Sequence, residues 1–517
     1  MASQPHRRMS LPQDWTHRHI VFSQSGLSGY PNLAAQEPRV EHQWLRQHAV
    51  AHAVSALNFA EPGNPQHDWS VSLGNARVAA GMSPAKFGFD TSATPSCAND
   101  YVVFGLNVAG SGGQANLVAF NNLYSGPGGL CGTAGPSFLF SYNVTTVGGG
   151  RIATSPILSL DGTKIGFVET TGAQAVFHVL TWKSGAGNGT SATSPAVPGT
   201  GNTASMVNIT LGAGDARSSP WIDYNTDTVY VGNSGGRVYK ITGVFNGTPQ
   251  IAAGWPVTVA SGRNLTGPVL DPITGKVFIG DSAGRLLSFN SSNGGGVTTL
   301  AVGQTGSTGA AIIDAPIVDS SNGVVYAVSS NAGSNAVLVQ ATTATLTQLA
   351  RANIGQGSAS GTAINMYTGT PDNNYFNAPA TGKFLVCGTA PTSTTPYAYQ
   401  FGFTGTTLNT TPTSSVPIVT STRSRCSPIT EFFNSHVGAG TDFFFFGLNI
   451  DCFGANTTGC IMVRQDPGAA PLPVTEAGGT SGIVIDNEST AGQASSIYFT
   501  NEPTAASAIK VTQSGLN

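Results

Sequence analysis

Charge is what this sequence has least of: 9% of its 517 residues are Asp, Glu, Lys or Arg, and they leave a net charge of only −3. No basic stripe runs through it and no aromatic platform is set among Lys and Arg, which excludes a nucleic-acid partner. Although 40% of the residues are hydrophobic, no unbroken apolar run approaches the roughly 18 residues of a membrane-spanning helix. The N-terminus, MASQPHRRMSLPQDW, is basic but lacks the apolar stretch of a secretory leader. The low charge, the abundance of Thr, Ser, Asn and Gly, and an even six cysteines nevertheless suit a protein outside the cytosol. Extracellular, periplasmic or cell-surface residence is expected, with the leader absent from this sequence; a cytoplasmic protein is the alternative.

What is abundant is turn-forming residues: 66 Gly and 30 Pro separate short runs rich in Val, Ile, Phe, Tyr and Thr. This is the pattern of many short strands joined by turns. It repeats. SSPWIDYNTDTVYVGNSGGRVYKITG from Ser218, TGPVLDPITGKVFIGDSAGRLLSFN from Thr266 and DAPIVDSSNGVVYAVSSNAGSNAVLVQ from Asp314 each give a small residue, Pro, a strand ending near Asp, and two hairpins. Looser copies open at Ser83-Pro84, Ser155-Pro156, Ala378-Pro379, Ser427-Pro428 and Ser481-Gly482, making eight units roughly 48 to 72 residues apart.

A fourth strand lies between units, as in VNITLG from Val207, WPVTV from Trp255, VTTLAV from Val297 and LPVTEAG from Leu472. The last unit ends at AIKVTQ from Ala508 without one, while a surplus strand, DWSVSLG from Asp68, precedes the first unit. Giving the surplus strand to the last unit closes a ring and removes both open edges. The expected fold is therefore all-β: an eight-bladed β-propeller over residues 68–517, closed by an N-terminal strand, with seven blades as the alternative count. Residues 1–67 carry His6, His17, His19, His42, His48, His52 and His67 and a Gly- and Pro-free stretch at 43–60. They read as a His-rich, partly helical arm.

The units resemble the quinoprotein-type (PQQ-like) propeller repeat on the strength of Val229-Tyr230-Val231-Gly232 followed by Gly236-Arg237-Val238-Tyr239. The whole chain, with its Asp-Trp-Thr-His-Arg-His arm, also resembles exported propeller proteins of Acidobacteria, which implies no activity. Quinoprotein dehydrogenases of that fold carry adjacent cysteines against the quinone; this sequence has no Cys-Cys, and no Cys-x-x-Cys-His for haem. The resemblance implies the fold and neither PQQ nor haem.

Three motifs have simpler readings. Gly232-Asn233-Ser234-Gly235-Gly236 and Gly280-Asp281-Ser282-Ala283-Gly284 match G-x-S-x-G but stand at a hairpin without the helix of a nucleophile elbow. Asp223, Asn225 and Asp227 have the spacing of calcium ligands, and Asp161, Asp271 and Asp319 occupy the same slot in other units; an Asp-based turn accounts for all four, with calcium as the alternative. His48 and His52 stand at helical ligand spacing without a completing carboxylate or Cys, so no metal site is expected. His178 and His436, the only His beyond the arm, have no evident partner.

Loop topology places Cys97 with Cys131 on one face of the ring, Cys387 with Cys426 on the other, and Cys452 with Cys460 across a hairpin. These are the disulfides expected among the 15 pairing schemes that six cysteines allow. The loops leading into successive units carry Arg151, Arg217, Arg263, Arg423 and Arg425. Equivalent positions in a ring gather at one mouth of its channel, and the Arg fork suits carboxylate, phosphate or sulfate. Pairing of each Arg with a neighbouring Asp, such as Asp215 or Asp314, is the competing reading. The expected function is an exported, non-catalytic propeller that binds a ligand or protein partner through one face, with an anionic glycan as candidate ligand. The alternatives are a channel-mouth enzyme (a polysaccharide lyase or hydrolase, or a degenerate quinoprotein oxidoreductase) and a structural subunit of a surface assembly that self-associates through the arm.

Overall fold

Strands such as Val324–Ser329 and Tyr101–Gly105 are buried along their whole length. This explains why VVYAVS and YVVFG are nearly continuous apolar runs rather than alternating ones: both faces of the sheet are covered. The covering comes from neighbouring sheets. The computed structural model describes residues 11–14, 20–21, 66–79, 81–88, 95–126, 128–307, 309–358, 364–434, 441–466, 472–487, 493, 495–502 and 505–512. It has eight sheets whose blades are antiparallel, seven built around four consecutive strands and the last around three with an N-terminal strand added, arranged as an eight-bladed β-propeller. Apolar clusters fill the seams in turn; one holds Trp221, Phe278 and Val325 of three successive blades, and another Phe445, Ile497 and Val511 of the last two.

A side-chain clamp recurs where the inner strands of blades 3, 4, 7 and 8 begin. The hydroxyls of Ser218, Thr266, Ser427 and Ser481 accept from the backbone N–H of Gly232, Gly280, Gly447 and Thr500 at 2.7–3.0 Å. The glycines ending those second strands are required by close approach: a Cβ on Gly232 would stand 2.7 Å from Leu265, and one on Gly280 2.5 Å from Ile312, both in the loop leading to the next blade. The sequence pattern of small residue, Pro and later Gly is thus a record of blade-to-blade packing.

The sixth unit departs from expectation. Its inner strand is Thr370–Pro371, and Ala378-Pro379 falls instead in a helical insertion, Asn373–Asn377 followed by Pro379–Thr381. Buried Asp372 holds the insertion: its Oδ1 accepts from the N–H of Tyr375 and of Lys383, at 3.0 and 2.8 Å. Asp372 stands at the end of the inner strand like Asp223, Asp271 and Asp319, but Pro371 lies directly before it, and Gly369 holds the place of the Pro three residues before Asp in those units.

The ring closes as expected. Gln66–Ser72 pairs antiparallel with Ser507–Thr512 as the outer strand of blade 8. Asp68 lies 2.6 Å from the Lys510 ammonium, both nearly inaccessible, while Trp69 reaches into blade 1 to donate to the Leu123 carbonyl at 3.0 Å. A second buried pair, Lys86 with Asp486 at 3.0 Å, joins the inner strands of blades 1 and 8. Chain segments that the sequence assigned to a separate arm enter the propeller: Leu11–Asp14 pairs with the inner strand of blade 1, Ile20–Val21 with that of blade 5, and Gln66 and His67 begin the closing strand. The helix expected over 43–60 lies outside the described residues, as do His6, His17, His19, His42, His48, His52 and His436.

Asp68→Ala would strand the Lys510 charge in the interior, and its expected cost is about 3–5 kcal/mol in chemical unfolding. Adding Lys510→Met should restore most of that stability; a double variant no more stable than Asp68→Ala would show that the pair does not hold the seam.

Candidate functional site

Antiparallel alternation assigns each loop to one of two faces. Loops leading from an outer strand to the next inner strand share a face with hairpins between second and third strands; this mouth face surrounds one end of the channel. The five arginines singled out in the sequence all belong to it, as does Arg77 in the loop before Pro84. Arg237 and Arg285, at the start of third strands, open on the same face. These last two were legible: GGRVY and AGRLL put Arg just after the Gly of the same hairpin in successive units.

Their environments differ. Arg77, Arg217, Arg237, Arg263 and Arg423 are exposed, while Arg151, Arg285 and Arg425 are half-buried. Arg217 lies 3.5 Å from Asp215 and is 73% exposed, a weak surface pair that leaves the guanidinium open to solvent. Arg423 donates to Asn456 at 3.2 Å and stands 3.9 Å from buried Asp451. Arg425 spends its donors on the Thr422 and Ser424 carbonyls, and burial lowers its pKa. Arg285 is tied to buried Asp281 at 2.5 Å. Asp314 takes the Thr368 N–H at 3.0 Å. The competing reading of Arg–Asp ties therefore holds for Arg217 and in part for Arg423, while Arg263 remains exposed. The Arg-bearing loops are distributed around the ring, in blades 1 to 4 on one side and blade 7 on the other.

Lysines behave oppositely: six of the seven are used up inside or toward the far face, and Lys183 is exposed on the far face. Lys86 and Lys510 are buried in ion pairs, Lys383 binds Asp466 at 2.9 Å, and Lys240 donates to the Ser291 carbonyl at 3.0 Å. Lys164 and Lys276 donate to the carbonyls of Phe245 and Ala344. Among the described residues, exposed arginines thus collect at the mouth, and Lys183 is the one exposed cation of the far face. Carboxylates there are mostly withdrawn: Asp281, Asp451 and Glu476 are buried. The loops are also braced, because Cys387–Cys426 and Cys452–Cys460 both lie on this face beside Arg423 and Arg425, while Cys97–Cys131 ties two loops of blade 1 on the far face. All three expected disulfides are present.

The motifs with simpler readings have structural partners. Asn233 Oδ1 accepts from the N–H of Gly235 and Arg237, and Asp281 Oδ1 from Ala283 and Arg285, so each G-x-S-x-G is a side-chain-capped hairpin. Asp223 accepts from the Asn225 N–H and the Thr226 hydroxyl, and Asp271 from the Ile273 N–H and the Thr274 hydroxyl. His178 does have partners, which separation in sequence concealed: Nε2 meets Glu169 at 2.9 Å and Nδ1 meets Asn208 at 2.8 Å, on three adjacent strands of blade 2. Glu169 also takes the N–H groups of Thr146 and Val147, fixing the loop that precedes Arg151. Both His178 and Glu169 are fully buried, so the pair braces that loop and meets no substrate.

On the far face, at the seam of blades 6 and 7, carboxylates crowd together. Asp442 accepts from the Asn373 N–H at 2.9 Å and is hydrogen-bonded to Glu431, with Asp372 and Asp466 nearby and Lys383 and Arg464 as the local cations. Burial, helped by these like charges, pushes Asp442 up to about 7 and Asp372 up to about 6.

No protein-family model matches the chain, and no curated protein matches it in sequence. Among solved structures it is similar to BamB from Moraxella catarrhalis (12% identity, 86% of this chain and 98% of that one, TM-score 0.44). It is also similar to the Dos1 propeller (12% identity, 87% and 95%, TM-score 0.49) and to a chain of the mitotic checkpoint complex (10% identity, 73% and 90%, TM-score 0.40).

The far-face cluster sets a pH dependence. Its folded pKa values lie above those of the unfolded chain, so the folded state binds more protons, and stability falls as pH rises from about 4 to about 7 before levelling. Asp442→Asn keeps the acceptor for Asn373 and removes the titration. Its stability, measured by denaturant unfolding, should fall by about 1–2 kcal/mol less than wild type between pH 5 and 7.5; an equal fall in both would place the pH dependence elsewhere.

Proposed function

We propose that this chain is an exported, non-catalytic β-propeller of the PQQ-like repeat type that binds an anionic ligand through its mouth face. The observation that carries the reading is the segregation of cations among the described residues: exposed arginines at the mouth, and all lysines but exposed Lys183 engaged in the interior or on the far face. Guanidinium groups distributed around a ring suit an extended ligand with repeated anionic groups, above all an acidic glycan, since each Arg offers a planar fork to a carboxylate or sulfate. Three disulfides with no cysteine left over support residence in an oxidising compartment.

Acidic and neutral oligosaccharides of matched length, titrated by calorimetry, distinguish this reading from a generic sugar surface. The acidic ligand alone should bind, with affinity falling as salt rises. Arg263→Ala and Arg423→Ala should each weaken it by about fivefold or more, in line with about 1 kcal/mol per lost charged contact. Lys183→Ala, on the far face, should not. Equal, weak binding of both ligands would rule the proposal out.

A further inference from the structure

Aromatic rings of this protein are kept inside it. Phe443, Phe444, Phe445 and Phe446 are fully buried along one strand of blade 7, Thr441–Ile450. Just past that strand, Phe453 is 51% exposed, and it is the one exposed aromatic ring among the described residues. It stands on the hairpin between second and third strands, and so on the mouth face. The tip of that hairpin is open: a Cβ on neighbouring Gly454 would meet nothing within 4 Å.

The turn is nevertheless braced. Cys452–Cys460 closes it. Within it the N–H groups of Asp451 and Phe453 donate to the Thr457 carbonyl and hydroxyl at 3.0 and 3.1 Å, and the Thr457 hydroxyl donates to the Gly454 carbonyl at 2.8 Å. The loop that leads into blade 7 is laced to the same hairpin. The Arg425 N–H donates to Asn449 Oδ1 at 2.7 Å, and the Ser421 hydroxyl to buried Asp451 at 2.6 Å. Cys387–Cys426 ties that loop in turn to blade 6. An apolar ring on a mobile loop is an ordinary surface feature; on a braced turn its exposure is held by the structure.

Arg423 belongs to this turn. Its Nη1 donates to Asn456 Oδ1 at 3.2 Å and lies 3.9 Å from Asp451 Oδ2, while the side chain stays 59% exposed. Both contacts use Nη1, and Nε and Nη2 make none among the described residues. A bare aromatic ring and a guanidinium with donors to spare therefore share one rigid turn.

We propose that this turn is a subsite for a uronic-acid residue, whose pyranose face lies on Phe453 and whose carboxylate meets Arg423. The inference rests on the anionic-ligand reading of the mouth and deepens it. A polyanion without a sugar ring would use the guanidinium and leave Phe453 bare. A neutral sugar would use the ring and leave the guanidinium unanswered. A uronic acid carries a patch of C–H groups and a carboxylate on one ring, so it uses both. The other exposed mouth arginines have no exposed aromatic ring beside them among the described residues, and they hold the charges of further residues along the glycan.

Calorimetric titration of the full chain with an oligogalacturonate, and with a polyglutamate peptide of matched charge, separates the two contributions. Phe453→Ala should weaken the oligogalacturonate about threefold to tenfold, by the same factor at low and high salt, and leave polyglutamate unaffected. Arg423→Ala should weaken both ligands, and by less as salt rises. Phe453→Trp keeps an aromatic face; it should bind as wild type does, and emission from the added indole should change as the oligogalacturonate is titrated in. Both Phe453 variants should unfold at the wild-type temperature, since the ring is exposed. If Arg263→Ala and Arg423→Ala weaken oligogalacturonate binding but Phe453→Ala leaves it unchanged, the subsite alone is overturned. If the oligogalacturonate does not bind wild type, the anionic mouth falls with it. Equal losses of oligogalacturonate and polyglutamate in Phe453→Ala would overturn the sugar subsite in favour of a peptide partner.

Discussion

The constraint on which the rest depends is that every blade buries both faces. A sheet covered on two sides needs neighbours on two sides, and only a closed ring supplies them to all eight. Closure is made by Gln66–Ser72, which the chain sets aside before the first blade and pairs with its last strand. The seam so formed buries two ion pairs, Lys510 with Asp68 and Lys86 with Asp486. Such pairs add little net stability, but a misregistered seam would leave one charge alone in an apolar interior. They therefore penalise incorrect closure more than they reward the correct one.

Once the ring is closed, loops that are far apart in the chain share a rim. Arginines separated by hundreds of residues are collected on one face, while six of the seven lysines are drawn into ion pairs and carbonyl contacts. The difference follows from side-chain chemistry and position. Lysines at strand starts on the far face find carbonyls of the next blade, as Lys164 finds Phe245 and Lys276 finds Ala344. Exposed arginines in the mouth loops find weak surface partners, as Arg217 finds Asp215, while Arg425 is half-buried against loop carbonyls. Disulfides at blades 6 and 7 hold two of these loops, and the buried Glu169–His178 pair holds another, so three of the mouth loops are braced. Braced loops lose less entropy on binding than mobile ones, which suits recognition.

The sequence by itself determined the repeat, the eight blades, the strand that closes them and all three disulfides, because each rests on local patterning or on the parity of strand ends. It also identified five of the mouth arginines, and its hairpin signal would have added Arg237 and Arg285. It misplaced the inner strand of blade 6, where the expected Pro lies in a helical insertion, and it left His178 without a partner, because Glu169 and Asn208 meet it only across neighbouring strands. Which arginines remain open, the crowding of Asp372 and Asp442 across a blade seam, and the pairing of Leu11–Asp14 and Ile20–Val21 with the inner strands of blades 1 and 5 were decided by tertiary structure alone. The physical reason is common to all of them. Each depends on distances between blades, which ring closure sets, and no period in the sequence encodes a distance across a ring.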